Sequence, residues 1–169
     1  MLLTGPMQQP PRLALRPLTV EDAPAMVSVL ADPSLYEFTG GHPPTQDQLT
    51  RQYTAQVRGR SADGTEEWIN RIVLLHPGEQ PIGFVQATVP AGGGPAEIAW
   101  VIGAPWQRQG HATEATGLLL RHLAERGVTE VLAHIHPDHT ASQRIAVRLG
   151  LHPTDQVVDG EIAWRGTLT

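Results

Sequence analysis

Four side chains within six residues could do chemistry: His134, His136, Asp138 and His139, in the stretch VLAHIHPDHTAS. Imidazoles and a carboxylate spaced H-x-H-x-D-H at a strand end are the donors a zinc site draws on. The same imidazoles could instead relay protons, because histidine titrates near neutral pH. Ser142 adds a hydroxyl in the same segment, and Glu97 supplies a carboxylate upstream. The 169 residues contain no cysteine. A thiolate nucleophile, a cysteine-ligated zinc and a disulfide are therefore all excluded.

A second constellation is QRQGHA, residues 107–112. It lies between the strand-like AEIAWVIG and the helix-like HATEATGLLLRHLAERG, where free backbone N–H groups and the helix dipole favour an anion. Gly110 would let the backbone approach a phosphate closely. As a bare pattern, Q-x-x-G-x-A describes a structural turn equally well.

The elements that must position these residues follow from periodicity and turn chemistry. RLALRPLT alternates as a strand from Arg12, and Thr19 with Asp22 three residues later opens a helix that runs to about Leu30. The Pro- and Gly-rich DPSLYEFTGGHPPT is a loop carrying two aromatics, Tyr36 and Phe38, that suit a pocket wall or burial beneath the loop. QDQLTRQYTAQVRGR reads as a second helix. Strands over 68–76 and 81–90 flank a PGEQ turn, AGGGP breaks the chain, and AEIAWVIG is the next strand. The helix after QRQGHA is apolar at Ala112, Ala115, Leu119 and Leu123 and ends at Gly127. Residues 131–135 form a short buried strand, and Thr140 with Gln143 predicts a capping box for a helix ending at Gly150. A hairpin on Asp159-Gly160 closes the chain. The sum is seven strands and four helices, ordered β-α-α-β-β-β-α-β-α-β-β. Only the central β-α-β requires parallel pairing, which makes the class α+β with a mixed, mostly antiparallel sheet.

Bulk composition narrows the function classes. The length suits one domain, expected over 12–169, with 1–11 (MLLTGPMQQPP) a flexible lead-in that lacks the basic start of a signal peptide. Hydrophobic residues make up 40% and charged residues 17%. No apolar run approaches the roughly 20 residues of a membrane span. A soluble, cytoplasmic protein with no membrane partner is the expectation. A net charge of −5 gives no broad basic surface, so nucleic acid is not an expected partner, whereas a cationic small substrate suits the field.

The segment EIAWVIGAPWQRQGHATEATGLLL resembles motif A of the GNAT superfamily of acetyl-CoA-dependent N-acyltransferases, whose signature is [QR]-x-x-G-x-[GA] after the fourth strand. RLALRPLTVEDAPAM resembles the first strand and helix of the branch typified by ribosomal-protein N-terminal acetyltransferases. HPDHTASQRIAVRLGL resembles that branch's P-x-N-x-x-S-x-x-x-x-x-x-x-G-[FL] segment, and DG-EIAWRG its last hairpin. The match runs in order over nearly the whole chain. It implies a GNAT fold with splayed fourth and fifth strands, and acetyl-CoA as cosubstrate with no metal.

By the same resemblance, the backbone of Gln107, Arg108, Gln109, Gly110, His111 and Ala112 would hold the coenzyme pyrophosphate, with Arg108 also a side-chain partner and His111 pointing to solvent or phosphate. The amides of Trp100 and Ile102 would meet the thioester carbonyl and the pantetheine arm. Glu97 stands where family members carry a base acting through water, on a strand that usually bulges, and His134 or His136 could relay the proton. Ser142 would sit near the coenzyme sulfur, as both a cofactor contact and a proton donor to the leaving thiolate. His139 replaces the branch's asparagine at a pantetheine contact. Many family members use a tyrosine as the acid, but the two tyrosines here, Tyr36 and Tyr53, belong to the first half of the chain.

The implied activity is N-acetylation of a primary amine, a protein amino terminus or a small molecule, by direct transfer in a ternary complex. Homodimers are common in the family. A GNAT-fold module that binds acyl-CoA without transfer is the alternative reading. A third reading is a metal-dependent hydrolase, since H-x-H-x-D-H also resembles the two-zinc motif of the metallo-β-lactamase superfamily. That family needs further histidines and a bridging aspartate downstream, but the 30 residues after His139 contain one histidine, His152.

Overall fold

A computed structural model describes residues 12–169; the lead-in expected over 1–11 lies outside the described residues. Seven strands, β1 (Leu13–Pro17), β2 (Glu66–Leu75), β3 (Gln80–Pro90), β4 (Ala96–Ile102), β5 (Glu130–Ile135), β6 (His152–Val158) and β7 (Glu161–Thr167), form one sheet. Their order is β1-β2-β3-β4-β5-β7-β6. The only parallel neighbours in it are β4 and β5, as the single β-α-β unit requires. Four helices, α1 (Ala23–Val29), α2 (Gln46–Gln56), α3 (His111–Glu125) and α4 (Thr140–Arg148), complete the α+β architecture.

Local chemistry explains the boundaries. At the first helix, the Thr19 amide donates to Asp22 Oδ2 at 2.8 Å, and a 3-10 turn over Val20–Asp22 precedes α1. Asp22 also takes two hydrogen bonds from the Arg16 guanidinium, at 2.6 and 3.1 Å, which locks β1 to α1. Burial pushes the Asp22 carboxyl up, but the Arg16 and Thr19 hydrogen bonds outweigh it and hold the pKa below its ordinary value.

Helix α3 ends in a Schellman motif. Gly127 adopts φ 87, its amide donates to Ala124 O, and the Val128 amide donates to Leu123 O at 3.0 Å. Helix α4 ends the same way, with Gly150 at φ 86 and the Leu151 amide on Ala146 O at 2.9 Å. The closing hairpin turns on Asp159 (φ 50) and Gly160 (φ 80), the two left-handed positions of a type I′ turn.

One expected cap is not formed. His139, not Thr140, is the N-cap of α4, and the Gln143 side-chain amide donates to Pro137 O at 2.6 Å and His136 O at 3.3 Å. Thr140 is already the first residue inside the helix and so does not occupy the capping position. Gln143 braces the turn before the helix instead.

Both faces of the sheet are covered. Ala96, Ile98 and Ile102 of β4 and Val131, Ala133 and Ile135 of β5 pack in one cluster with Leu119 and Leu123 of α3 and Ala146 of α4. Met26 and Val29 of α1 and Leu49 and Tyr53 of α2 form the second cluster with Ile72 and Leu74 of β2. Side chains alternate along a strand. Glu97 and His134, which fall between the residues buried under α3, therefore face the α1–α2 side. Among the described residues no helix is long and apolar enough to cross a membrane.

Candidate functional site

The site is a gap in the sheet. Strands β4 and β5 pair only at Ala96↔Val131 and Glu97↔Leu132. Beyond that point β4 follows β3, in register from Thr88↔Glu97 to Gly83↔Ile102, while β5 follows β7 from Glu130↔Thr167 to Ile135↔Ile162. Each strand is held by its outer neighbour, so the carboxyl ends diverge. The β3–β4 register is unbroken, so the bulge expected in the fourth strand is not present and the face of Glu97 is settled without a slip.

The direction of the free β4 amides follows from the ladder. The Gly103 amide donates to Ile82 O on β3 at 2.8 Å. Backbone N–H groups alternate sides along a strand, so the amides of Trp100 and Ile102 point away from β3, into the gap. The Gln107 side chain donates to Ile102 O at 2.9 Å and ties the end of β4 to the following loop.

That loop forms a concave amide surface at the start of α3. Arg108 (φ 63) and Gly110 (φ 82) are both left-handed, a backbone arrangement that turns successive N–H groups toward one point. Among the described residues, the amides of Gly110, His111 and Ala112 donate no hydrogen bond outside the helix, and they belong to its unpaired first turn. A phosphate fits this donor set. Of the two directions expected for His111, solvent is not taken: the residue is 4% exposed, and neither ring nitrogen has a partner among the described residues. Burial first, and then the nearby Arg12 charge, lower its pKa against an opposing pull from Glu114.

At the start of the gap, His134 Nδ1 and Glu97 Oε1 lie 3.0 Å apart, with side chains 19% and 57% exposed. The pair joins β4 to β5 beside the point of divergence and leaves the carboxylate open to solvent. His136 is placed differently. Its Nδ1 accepts from the Asp138 amide at 3.0 Å, which engages one ring nitrogen in the β5–α4 turn. Phe38, from the loop before α2, stacks edge-on against His139 at 4.6 Å and tilted against His136 at 5.3 Å. Burial lowers the His139 pKa, opposed by Glu37 and reinforced by His136. Ser142 is half-buried in the first turn of α4.

H-x-H-x-D-H is thus dispersed: His134 goes to Glu97, His136 to the turn and His139 to Phe38. Among the described residues no three His, Asp or Glu side chains converge as a metal set. Tyrosine is also accounted for. The Tyr36 hydroxyl donates to Leu30 O at 2.9 Å, and Tyr53 is buried, which pushes its pKa up to about 12. Two contacts were not legible in the sequence: Arg12 reaching Gln109 O from 97 positions away, and Phe38 on the two histidines. Only the aromatic composition of the loop hinted at the second.

Residues 12–152 match the family described as Acetyltransferase (GNAT) domain. The chain belongs to this GNAT acetyltransferase family. Among solved structures, it is similar to aminoglycoside acetyltransferase AAC(6')-Ib in complex with coenzyme A, at 20% identity and TM-score 0.75, over 92% of this chain and 94% of that one. It is similar to RimL, a ribosomal L7/L12 α-N-protein acetyltransferase in complex with coenzyme A, at 14% identity and TM-score 0.76, over 93% and 94%. An acetyltransferase from Thermus thermophilus aligns at 20% identity and TM-score 0.71, over 92% and 97%. At these identities the likeness is one of fold. No curated protein matches the sequence closely enough to count as a relative.

Proposed function

We propose that this GNAT protein transfers an acetyl group from acetyl-CoA to a primary amine directly, within a ternary complex. The observation that carries the reading is the divergence of β4 from β5 between two functional borders. Unpaired amides of the 107–112 loop lie at one end, and the Glu97–His134 pair lies at the other. The coenzyme-bound forms of AAC(6')-Ib and RimL, which share this fold, support the choice of donor.

Each residue then has a physical task. The loop amides and the α3 dipole bind the pyrophosphate, with the Arg108 side chain available to it. The edge amides of Trp100 and Ile102 pair with the extended pantetheine as with an added strand, and an amide aimed at the thioester oxygen stabilises the tetrahedral intermediate. An alkylammonium with a pKa of roughly 10 must lose a proton first, at a cost of roughly 4 kcal/mol at pH 7. Glu97 takes that proton through water, and His134 holds the carboxylate and passes the proton on. The amine nitrogen attacks the thioester carbon, the C–S bond breaks, and the thiolate takes a proton, a role assigned to the Ser142 hydroxyl at the start of α4. Phe38 packs on His136 and His139 at the β5–α4 turn, which makes Phe38 an acceptor-side wall and leaves His139 for the pantetheine contact.

Thermal shift with acetyl-CoA, longer acyl-CoAs and zinc tests the donor, and thiol release over a panel of protein amino termini, small amines and aminoglycosides tests the transfer. Stabilisation by acetyl-CoA and thiol release with at least one amine class are expected. Stabilisation by zinc and by no coenzyme would overturn the reading. Coenzyme binding without transfer to any amine would leave a binding module only.

A further inference from the structure

Arg12, immediately before β1, does something its fold position does not require. Its Nη1 and Nη2 each donate to Gln109 O at 3.4 Å, and its Nε and Nη2 donate to Glu114 Oε2 at 3.1 and 2.6 Å. One guanidinium thus straddles a loop carbonyl and a carboxylate in the first turn of α3. A Cβ built on Gly110 would lie 3.7 Å from Nη2, so the cation sits directly behind the loop. As a stabilising device the arrangement is poor. The side chains are 54% and 34% exposed, a range in which ion pairs contribute about 0–1 kcal/mol. A cation at a helix N-terminus also opposes the dipole.

The peptide plane supplies the better account. In a trans peptide the carbonyl oxygen and the following N–H point to opposite sides. Holding Gln109 O against Arg12 therefore turns the Gly110 N–H to the other face of the loop, toward the side that an anion would occupy. Gly110 (φ 82) has no Cβ to fix the orientation of the peptide before it, and the guanidinium selects one. Its charge, displaced behind the amides, also adds to the attraction for an anion.

We infer that Arg12 is a positioning residue of the donor site, which orients the Gln109–Gly110 peptide so that the Gly110 amide faces the pyrophosphate of coenzyme A. This rests on the reading of 107–112 as the pyrophosphate cradle. Arg12 acts through the loop and does not itself touch the donor.

The test compares coenzyme A with pantetheine, which lacks the pyrophosphate and nucleotide, by calorimetric titration of the wild type, Arg12→Ala and Arg12→Lys. Arg12→Ala is expected to weaken coenzyme A binding about tenfold, the scale of one hydrogen bond to a charged acceptor, and to leave pantetheine affinity unchanged. Arg12→Lys, which keeps the charge but not the fork, falls between. The 15N–1H resonance of Gly110 should shift on coenzyme A binding in the wild type and shift less in Arg12→Ala. Equal losses for both ligands, or unchanged coenzyme A affinity with an unaltered Gly110 response, overturn the inference. Arg12→Lys carries the same comparison if the alanine variant unfolds. If the wild type binds the two ligands equally, the cradle reading itself fails, and that outcome is distinct from the failure of Arg12 alone.

Discussion

Replacing Glu97 by glutamine removes a base and little else. The amide is isosteric, can still meet His134 Nδ1 across the 3.0 Å contact, and lies on a strand whose pairing with β3 and β5 is made by the backbone. The fold should therefore persist with a melting temperature near the wild type's. The chemical cost is larger. An amine of pKa roughly 10 is about 0.1% unprotonated at pH 7. The Glu97 side chain is 57% exposed, so water partly substitutes for the lost base, and the loss belongs near the lower end of the about 10²–10⁴-fold range for general bases. We expect kcat to fall about 10²-fold at pH 7 with the coenzyme KM unchanged. Because the variant must draw on free amine, its rate should rise about tenfold per pH unit between 7 and 9, and the wild-type rate should rise less steeply. The assay is thiol release from acetyl-CoA at saturating acceptor over that pH range. A variant within about twofold of wild type at pH 7, or one whose pH profile runs parallel to the wild type's, would refute the assignment of the base.

Gly110→Trp should abolish thermal stabilisation by coenzyme A, since the position needs φ 82 and an indole would be driven against Arg12 behind the loop, which distorts the amide surface; unchanged affinity would mean that the cradle lies elsewhere. Asp22→Ala should cost about 1–3 kcal/mol in chemical denaturation, because it strands the half-buried Arg16 guanidinium. The Asp22 pKa is lowered on folding, so its contribution is full above the unfolded value of roughly 4 and is lost as pH falls through the folded value; the variant's deficit should shrink in that acid range. The depressed pKa values of His111 and His139 act at a higher window. Stability present above roughly pH 6.5 should decline as pH falls below it, and His111→Leu should flatten part of that decline in melts between pH 5 and 7. Phe38→Ala removes the aromatic wall over His136 and His139 and should raise the acceptor KM several-fold, leaving coenzyme affinity unchanged in the calorimeter.

The elements themselves are legible because each carries its own punctuation. Gly127 and Gly150 stop their helices with left-handed caps, and Asp159-Gly160 turns the last hairpin, each through short-range hydrogen bonds that the local residues specify. The expected cap at Thr140 fails for the same reason in reverse. A Thr followed three residues later by Gln satisfies the capping pattern, but the chain enters α4 one residue earlier, and Gln143 commits its amide to the Pro137 carbonyl. The expectation of solvent for His111 fails because position at the end of a loop suggests exposure, whereas the residue is buried.

The order of strand, glycine turn and helix around residues 107–112, the absence of cysteine and the alternation that puts His134 and His136 on one face of their strand were all determined by sequence alone, since they depend on residue type and on spacing of a few positions; the face of Glu97 waited on the unbroken β3–β4 register. What became of H-x-H-x-D-H was not. Three imidazoles within six residues can converge on a metal or part to three partners, and the choice depends on groups 37 to about 100 positions away: Glu97 across the β4–β5 pairing and Phe38 from the far loop. Arg12 behind Gly110 is the same kind of fact. Contacts of this range are set by how the sheet is ordered and where its strands part, and only the folded chain brings them together.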